Sequence, residues 1–375
     1  MKIGIDCRLA GSKHAGIGRY TESLLLNLLN KKTKNKWVLF FYSQEQAKDV
    51  LKKNIENKNV EVVITPIKHY SLKEQTKLPK IFQSFNLDLL HVPHFNIPIF
   101  YTLWGRGKGK LVVTIHDLLW HEYKGGKATT LTPIKYFLKY FFYKIITRVA
   151  VNKAQKILVP AETIKNTVIK FYPKTKDKIV VTKEGGKIWN KEIKTTKRFK
   201  KTLLYVGSLY PHKNIKVVIR ALTTLRDYKL LIAGSRNVFR DKVESFVKYK
   251  EVSDRVTFLG YVDDKKLAEL YTKVTALVQP SFSEGFGLTG VEAMSLGTPI
   301  LASNIPIFKE IYQDVAFYFS PHSESSFVSK VHELEKINQK ENYRKIQMKK
   351  STNLAKTYDW GKMASQTLKV YNALS

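Results

Sequence analysis

The segment PSFSEGFGLTGVEAMSLGTPILAS, residues 280–303, sets a glycine-rich turn in front of a run with helical spacing. Bare amides around Gly285, Phe286, Gly287 and Leu288, with the helix dipole behind them, suit a phosphate. Glu284 at the turn and Glu292 inside the helix would repel one. Carboxylates do accept well from vicinal hydroxyls, so the mixture calls for a ligand carrying both groups. A nucleoside diphosphate joined to a sugar is such a ligand. On that reading Glu292 takes the ribose hydroxyls and Glu284 those of the sugar to be transferred. A solvated helix start is the alternative.

The elements that must position this segment follow a βαβ rhythm. KIGIDC, KWVLFFY, VEVVITP, LDLLHVP, KLVVTIHD, KILVP and KIVVT are short apolar runs, most of them separated by helix-length segments. The rhythm restarts at TLLYVGS and continues through YKLLIAGS, RVTFLGYV, TALVQPSF and TPILAS. Two doubly wound parallel-sheet domains are expected, residues 1–190 and 202–355, with the charged stretch KEIKTTKRFKKT as the linker. Residues 356–375 read as a closing amphipathic helix that packs back on the first domain. Ligands of open parallel sheets bind beyond the carboxyl ends of the strands. The loops VGSLYPHKN, HD, AGIGRY and the opening segment all lie at such ends, which implies a cleft shared by both domains.

Composition narrows the classes. Hydrophobic residues make up 43% of the 375, enough for two cores, and the single cysteine, Cys7, excludes an intramolecular disulfide and a cysteine-built metal site. No signal-peptide pattern and no transmembrane run is present, so a cytoplasmic protein, soluble or peripheral on the inner face of the plasma membrane, is expected. Residues 1–200 carry 39 Lys and Arg against 14 Asp and Glu, a surplus of 25 within a total of +34. That surplus favours anionic partners, or reflects a lysine-rich composition with no partner at all. The segment LTPIKYFLKYFFYKIITRVAVNKAQK, basic and very aromatic, is either an interfacial helix on an anionic membrane surface or a core helix whose lysines snorkel.

The segment EGFGLTGVE resembles the paired-glutamate motif of retaining glycosyltransferases of family 4, which have the GT-B fold of two facing Rossmann-like domains. The resemblance extends in order through GIGRY, TIHDL, YVGSLYPHKN, EAMSLGTPILAS and the YDW before the last helix, and so covers nearly the whole chain. It implies a donor site at Gly207, Ser208, His212, Lys213, Glu284, Gly285, Phe286, Gly287, Leu288, Thr289 and Glu292. Lys213 would place its charge on the diphosphate. Ser208 and His212 stand where relatives often have arginine, so either a protonated His212 serves there or Lys213 carries the charge with the backbone amides. The glycine pair Gly16 and Gly18, ahead of a helix, would close over the diphosphate. Arg19, Tyr20 and Asp117 would border the acceptor, and His116 would lie near the reacting sugar; ordinary first-turn residues at Arg19 and Tyr20, and a turn-capping His-Asp pair, are the bland alternatives.

The combined reading is a retaining hexosyltransferase with Glu284, His116 and Lys213 as its catalytic set. The donor is expected to be GDP-mannose, with UDP-sugars open, and the acceptor a glycan or lipid-linked glycan of surface polysaccharide synthesis. Neither a metal ion nor another cofactor is expected, nor any specific nucleic acid. A UDP-sugar epimerase of the same fold and a basic nucleic-acid-binding protein are the competing readings.

Overall fold

The computed structural model describes residues 1–11, 14–103, 109–122, 132–189, 199–234 and 238–375. The expected linker falls largely on residues 190–198, outside the described residues. The chain forms two compact units: Met1–Glu122 with Pro133–Gly185 and Asp359–Ser375, and Gly186–Tyr358.

In the first unit seven strands form one sheet: β1 (Lys2–Asp6), β2 (Lys36–Phe41), β3 (Val60–Ile64), β4 (Leu89–Val92), β5 (Lys110–Thr114), β6 (Lys156–Val159) and β7 (Ile179–Val181). Their order is β3-β2-β1-β4-β5-β6-β7, every pairing parallel. Central strands are buried end to end because helices cover both faces, whereas the edge strand β3 is only half-buried. The second unit repeats the plan with six strands: β8 (Thr202–Val206), β9 (Lys229–Ala233), β10 (Val256–Gly260), β11 (Ala276–Gln279), β12 (Ile300–Ser303) and β13 (Ala316–Phe319). The order is β10-β9-β8-β11-β12-β13, again all parallel. Both sheets are Rossmann-like, and each reverses its winding beside its first strand.

The last helix, Trp360–Asn372, belongs to the first unit. Met363, Ala364, Val370 and Tyr371 share a core with Leu24, Leu25 and Leu28 of the helix Ala15–Leu29. The tail is not one continuous helix. The helix Glu341–Ala355 ends first, and Asp359 then caps a new one by accepting from the Lys362 amide at 2.7 Å. Among the described residues no helix is long and apolar enough to cross a membrane.

Candidate functional site

In the second unit the winding reverses between β8 and β11, paired in register at Leu203 and Ala276, so the loops after both strands emerge side by side. A backbone bond joins them, Phe282 N to His212 O at 2.8 Å. Asn214 fixes the corner. It takes the left-handed conformation (φ 53°), which asparagine tolerates, and its buried Nδ2 donates to the carbonyls of Pro280 (3.0 Å) and Pro321 (2.8 Å). One side chain thus ties the ends of β8, β11 and β13 together.

That corner delivers Lys213 onto Glu284. Nζ lies 2.6 Å from Oε1, and the Ser281 hydroxyl donates to the same oxygen at 2.8 Å. Burial alone would raise the Glu284 carboxyl, but the neighbouring Lys213 charge and hydrogen bond, with smaller contributions from Ser281 and His212, hold it below the usual carboxylate range. His212 lays its ring parallel to Tyr210, centroids 5.9 Å apart. Gly207 follows β8 at φ 154°, and its carbonyl would lie 2.2 Å from any Cβ at Gly234, so two bare backbones meet there. The Ser208 carbonyl accepts from the Tyr205 hydroxyl at 2.5 Å.

The turn itself is shaped from beneath. Gly287 caps the helix Leu288–Ser295 at φ 98°, and no side chain fills the cap. The Tyr312 hydroxyl lies against the Gln279 side-chain oxygen and against the Gly287 carbonyl (2.8 Å), while Gln279 Nε2 donates to Thr289 Oγ1 at 2.6 Å. A Cβ at Gly287 would meet the Tyr312 hydroxyl at 2.1 Å, so strain and space both demand glycine. Phe286 points inward against Tyr358 and contributes packing, leaving its backbone for the site. Glu292, one turn into the helix, is buried with Oε2 3.4 Å from the Tyr271 hydroxyl. The helix start, one cation and the Glu284 carboxylate therefore meet at one strand-end corner, with Glu292 buried one turn further along the helix.

In the first unit His116 follows β5. Its Nδ1 is 3.0 Å from Glu184 Oε1 and its Nε2 3.1 Å from the Pro93 carbonyl, while Tyr20 presents a ring edge at 4.6 Å. Both ring nitrogens are thus engaged, one by the Glu184 carboxyl and the other by a backbone carbonyl. Behind it runs a buried chain. Tyr371 bonds His91 Nδ1 at 2.5 Å, His91 Nε2 bonds Thr114 Oγ1 at 2.8 Å, and Tyr20 reaches Thr114 at 3.2 Å. Burial, helped slightly by the His116 charge, lowers the His91 pKa to about 3, so that ring is neutral. At the end of β1 lies a second buried network. Arg8 forks onto Asp6 (2.9 and 2.7 Å) and reaches Glu74 (2.8 Å), and Glu74 also accepts from Asn96 at 2.8 Å.

Two expectations for this unit, for the glycine pair and for Tyr20, are corrected. Gly16 and Gly18 do not precede a helix; they lie in the first turn of Ala15–Leu29, where a Cβ on Gly18 would stand 2.0 Å from the Gly11 carbonyl, so its role is close packing. Tyr20 is 1% exposed with its hydroxyl on Thr114, so it backs His116 and does not border an acceptor. Asp117 Oδ1 accepts from the Leu119 amide at 3.1 Å and caps a short helix. Arg19, half-buried in the same first turn as Gly18, sits on the opening helix of this unit.

Two family models match the chain almost end to end: Glycosyltransferase Family 4 over residues 14–185 and Glycosyl transferases group 1 over residues 188–351. The chain belongs to this family of glycosyltransferases. Among relatives of this family-4 chain is the O-antigen chain mannosyltransferase RfbU of Salmonella typhimurium, 32% identical over 241 residues, which are 62% of this chain and 66% of RfbU. The O-antigen chain mannosyltransferase B of Escherichia coli is 31% identical over 176 residues, covering 46% and 45% of the two chains. The match thus spans about two thirds of one relative and less than half of the other. The structure of Anabaena HepE in complex with UDP and glucose superposes with a TM-score of 0.75 over 100% of both chains at 16% identity. That agreement establishes the GT-B architecture for the family-4 chain.

Within the second unit Lys213 and Glu284, both singled out by the sequence reading, lie in contact at the glycine turn. It did not single out Asn214, Tyr312, Gln279 or Glu184. Asn214 stands inside VGSLYPHKN, and an asparagine directly before a helix was the available signal. Glu184 lies 68 residues from His116, and nothing local marks that pairing.

Proposed function

We propose that the chain transfers a hexose, mannose in the first instance, from a nucleoside-diphosphate sugar to a glycan or lipid-linked glycan acceptor with retention of anomeric configuration. The observation that carries the reading is the Lys213–Glu284 pair at 2.6 Å beside an uncapped helix start. A cation and a carboxylate in contact match the junction of a sugar diphosphate, where phosphate oxygens and sugar hydroxyls lie side by side. Lys213 and the amides of residues 285–289 hold the diphosphate, Glu284 the sugar hydroxyls, and Glu292 the ribose. As the bond from the anomeric carbon to the phosphate oxygen breaks, the acceptor oxygen bonds to that carbon on the same face. The acceptor's proton passes to the departing phosphate oxygen. Lys213 and the helix amides stabilise the charge that develops there, so no metal ion is required of this site. His116, whose two ring nitrogens are engaged by Glu184 and the Pro93 carbonyl, is assigned a positioning role. Mannose as the sugar is supported by the printed names of two relatives, and the proposed workplace is the cytoplasmic face of a membrane bearing the acceptor.

A melting screen with GDP-mannose, UDP-glucose and ADP-glucose tests the reading, because a ligand at about 100 times its Kd adds about 2.7 kcal/mol to the folded state. One of these donors should raise the melting temperature. Lys213→Ala should weaken that donor at least about tenfold, as loss of a charge-assisted hydrogen bond requires. No shift with any donor, or an unchanged affinity in Lys213→Ala, would overturn the assignment.

A further inference from the structure

The helix Pro133–Lys153 of the first unit is apolar on two opposite faces. One face is core. Tyr143, Ile146, Thr147 and Ala150 are buried, and Tyr143 bonds His121 Nδ1 at 2.6 Å and packs its ring against Phe95 and Trp120. The other face is open. Ile134 (83% exposed), Phe137 (68%), Leu138 (58%), Phe141 (59%), Phe142 (52%) and Ile145 (36%) recur at intervals of three and four, which places all six on one stripe. Single exposed apolar residues are ordinary, but six large ones in a row are not; a helix facing water carries polar residues on that side.

The charges beside the stripe say what covers it. Lys135 and Lys139 flank one edge, Lys144 and Arg148 the other, and the 21-residue helix contains no acidic residue. These bases belong to a half of the chain with 39 Lys and Arg against 14 Asp and Glu, so a second copy brought face to face would be repelled. An anionic bilayer complements both features, taking the apolar side chains into the headgroup boundary and the lysines onto its phosphates. Five basic residues and a covered back face make the helix one that lies on a membrane and does not span it. We propose that this stripe is the membrane-docking surface of the first unit. The proposal deepens the acceptor reading above, since an acceptor on a lipid carrier is met at such a surface.

Sedimentation with vesicles tests it. The full chain should bind vesicles of roughly 70:30 phosphatidylcholine and phosphatidylglycerol, bind pure phosphatidylcholine far less, and release as salt rises past about 0.5 M, where the Debye length falls below about 5 Å. The double variant Phe137→Ser, Phe141→Ser should lose about tenfold or more in binding to the mixed vesicles while melting like the parent, because the side chains removed are exposed. Lys135→Gln with Lys139→Gln should lose a similar amount and with it most of the preference for the anionic lipid. Absence of binding by the parent, or unchanged binding by the phenylalanine double variant, overturns the proposal. So does a dimer in solution that the double variant converts to monomer, which would give the face to a second copy. Transfer to a water-soluble acceptor separates the outcomes: if it persists while vesicle binding fails, the docking surface alone is wrong, and if donor binding and transfer both fail in the parent, the functional reading is wrong.

Discussion

The two glutamates eight residues apart occupy different environments, and their environments separate their roles. Glu284 is held ionised by Lys213 in a half-buried pair, at the mouth of the turn. Glu292 is buried one helical turn deeper, against Tyr271. On the proposed function, Glu292→Gln should weaken the free nucleoside diphosphate by about tenfold or more, since a neutral amide forfeits a charge-assisted bond worth roughly 1.5–3 kcal/mol. Glu284→Gln should leave that affinity intact or slightly improved, because Lys213 no longer shares its charge with a carboxylate. Transfer should fall instead, by about a hundredfold, as positioning is lost at the reacting carbon. Calorimetric titration with nucleoside diphosphate, followed by a transfer assay on the same samples, separates the two. If both variants bind and transfer like the parent, the two glutamates serve only the local structure of the turn and helix.

At the scale of elements, the site depends on three strand ends kept in step, and Asn214 is the residue that does it. Asn214→Gly keeps the left-handed backbone accessible but removes the bonds to Pro280 and Pro321; Asn214→Ala removes them and adds backbone strain. The glycine variant should lose about 1–3 kcal/mol of stability in the second unit from the orphaned carbonyls, and the alanine variant about 1–2 kcal/mol more. Denaturant midpoints check the order, and a nucleotide affinity that falls in both shows that the corner serves the site as well as the fold. The strands that flank this corner were legible in the sequence because TLLYV and TALVQ are apolar runs bounded by turn residues. The edge strand β13 was not: its four residues, AFYF, contain no β-branched side chain and are only partly buried. The last helix begins at Trp360, a few residues inside the expected 356–375, because Asp359 caps it there. The side chains that support the site were the least legible. Asn214 spans 66 and 107 residues to its partners, and Tyr371 spans 280 residues to His91, distances that no local pattern encodes.

For the whole molecule, buried ionisable groups are divided unequally between the two units, and this predicts how each responds to acid. In the first unit His91 and His94 have their pKa values lowered to about 3, burial being the main cause in each and the nearby His116 charge a smaller one. An unfolded histidine takes up its proton near pH 6.5, a folded one here only near 3, so below about pH 6.5 the unfolded chain binds more protons and stability declines. The effect is on the order of a few kcal/mol per ring across that interval. Asp6 and Glu74 act in the same direction but later. Burial would raise both; Arg8 holds Asp6 low, and His69 with Arg8 holds Glu74 low, so the stability they contribute is present above about pH 4 and is lost as pH falls towards their depressed values. Glu284 gives the second unit a term of this later kind only. The first unit should therefore begin to weaken at about pH 6.5 and the second only near pH 4, with the rising positive charge of a chain already at +34 adding to both losses. Hydrogen exchange followed by peptide over pH 7 to 4 measures the units separately. Loss of protection in the strands β1, β4 and β5 before β8, β11 and β12 is the expected result. Simultaneous loss across both sheets, or earlier loss in the second, would show that the buried histidines do not govern the acid response.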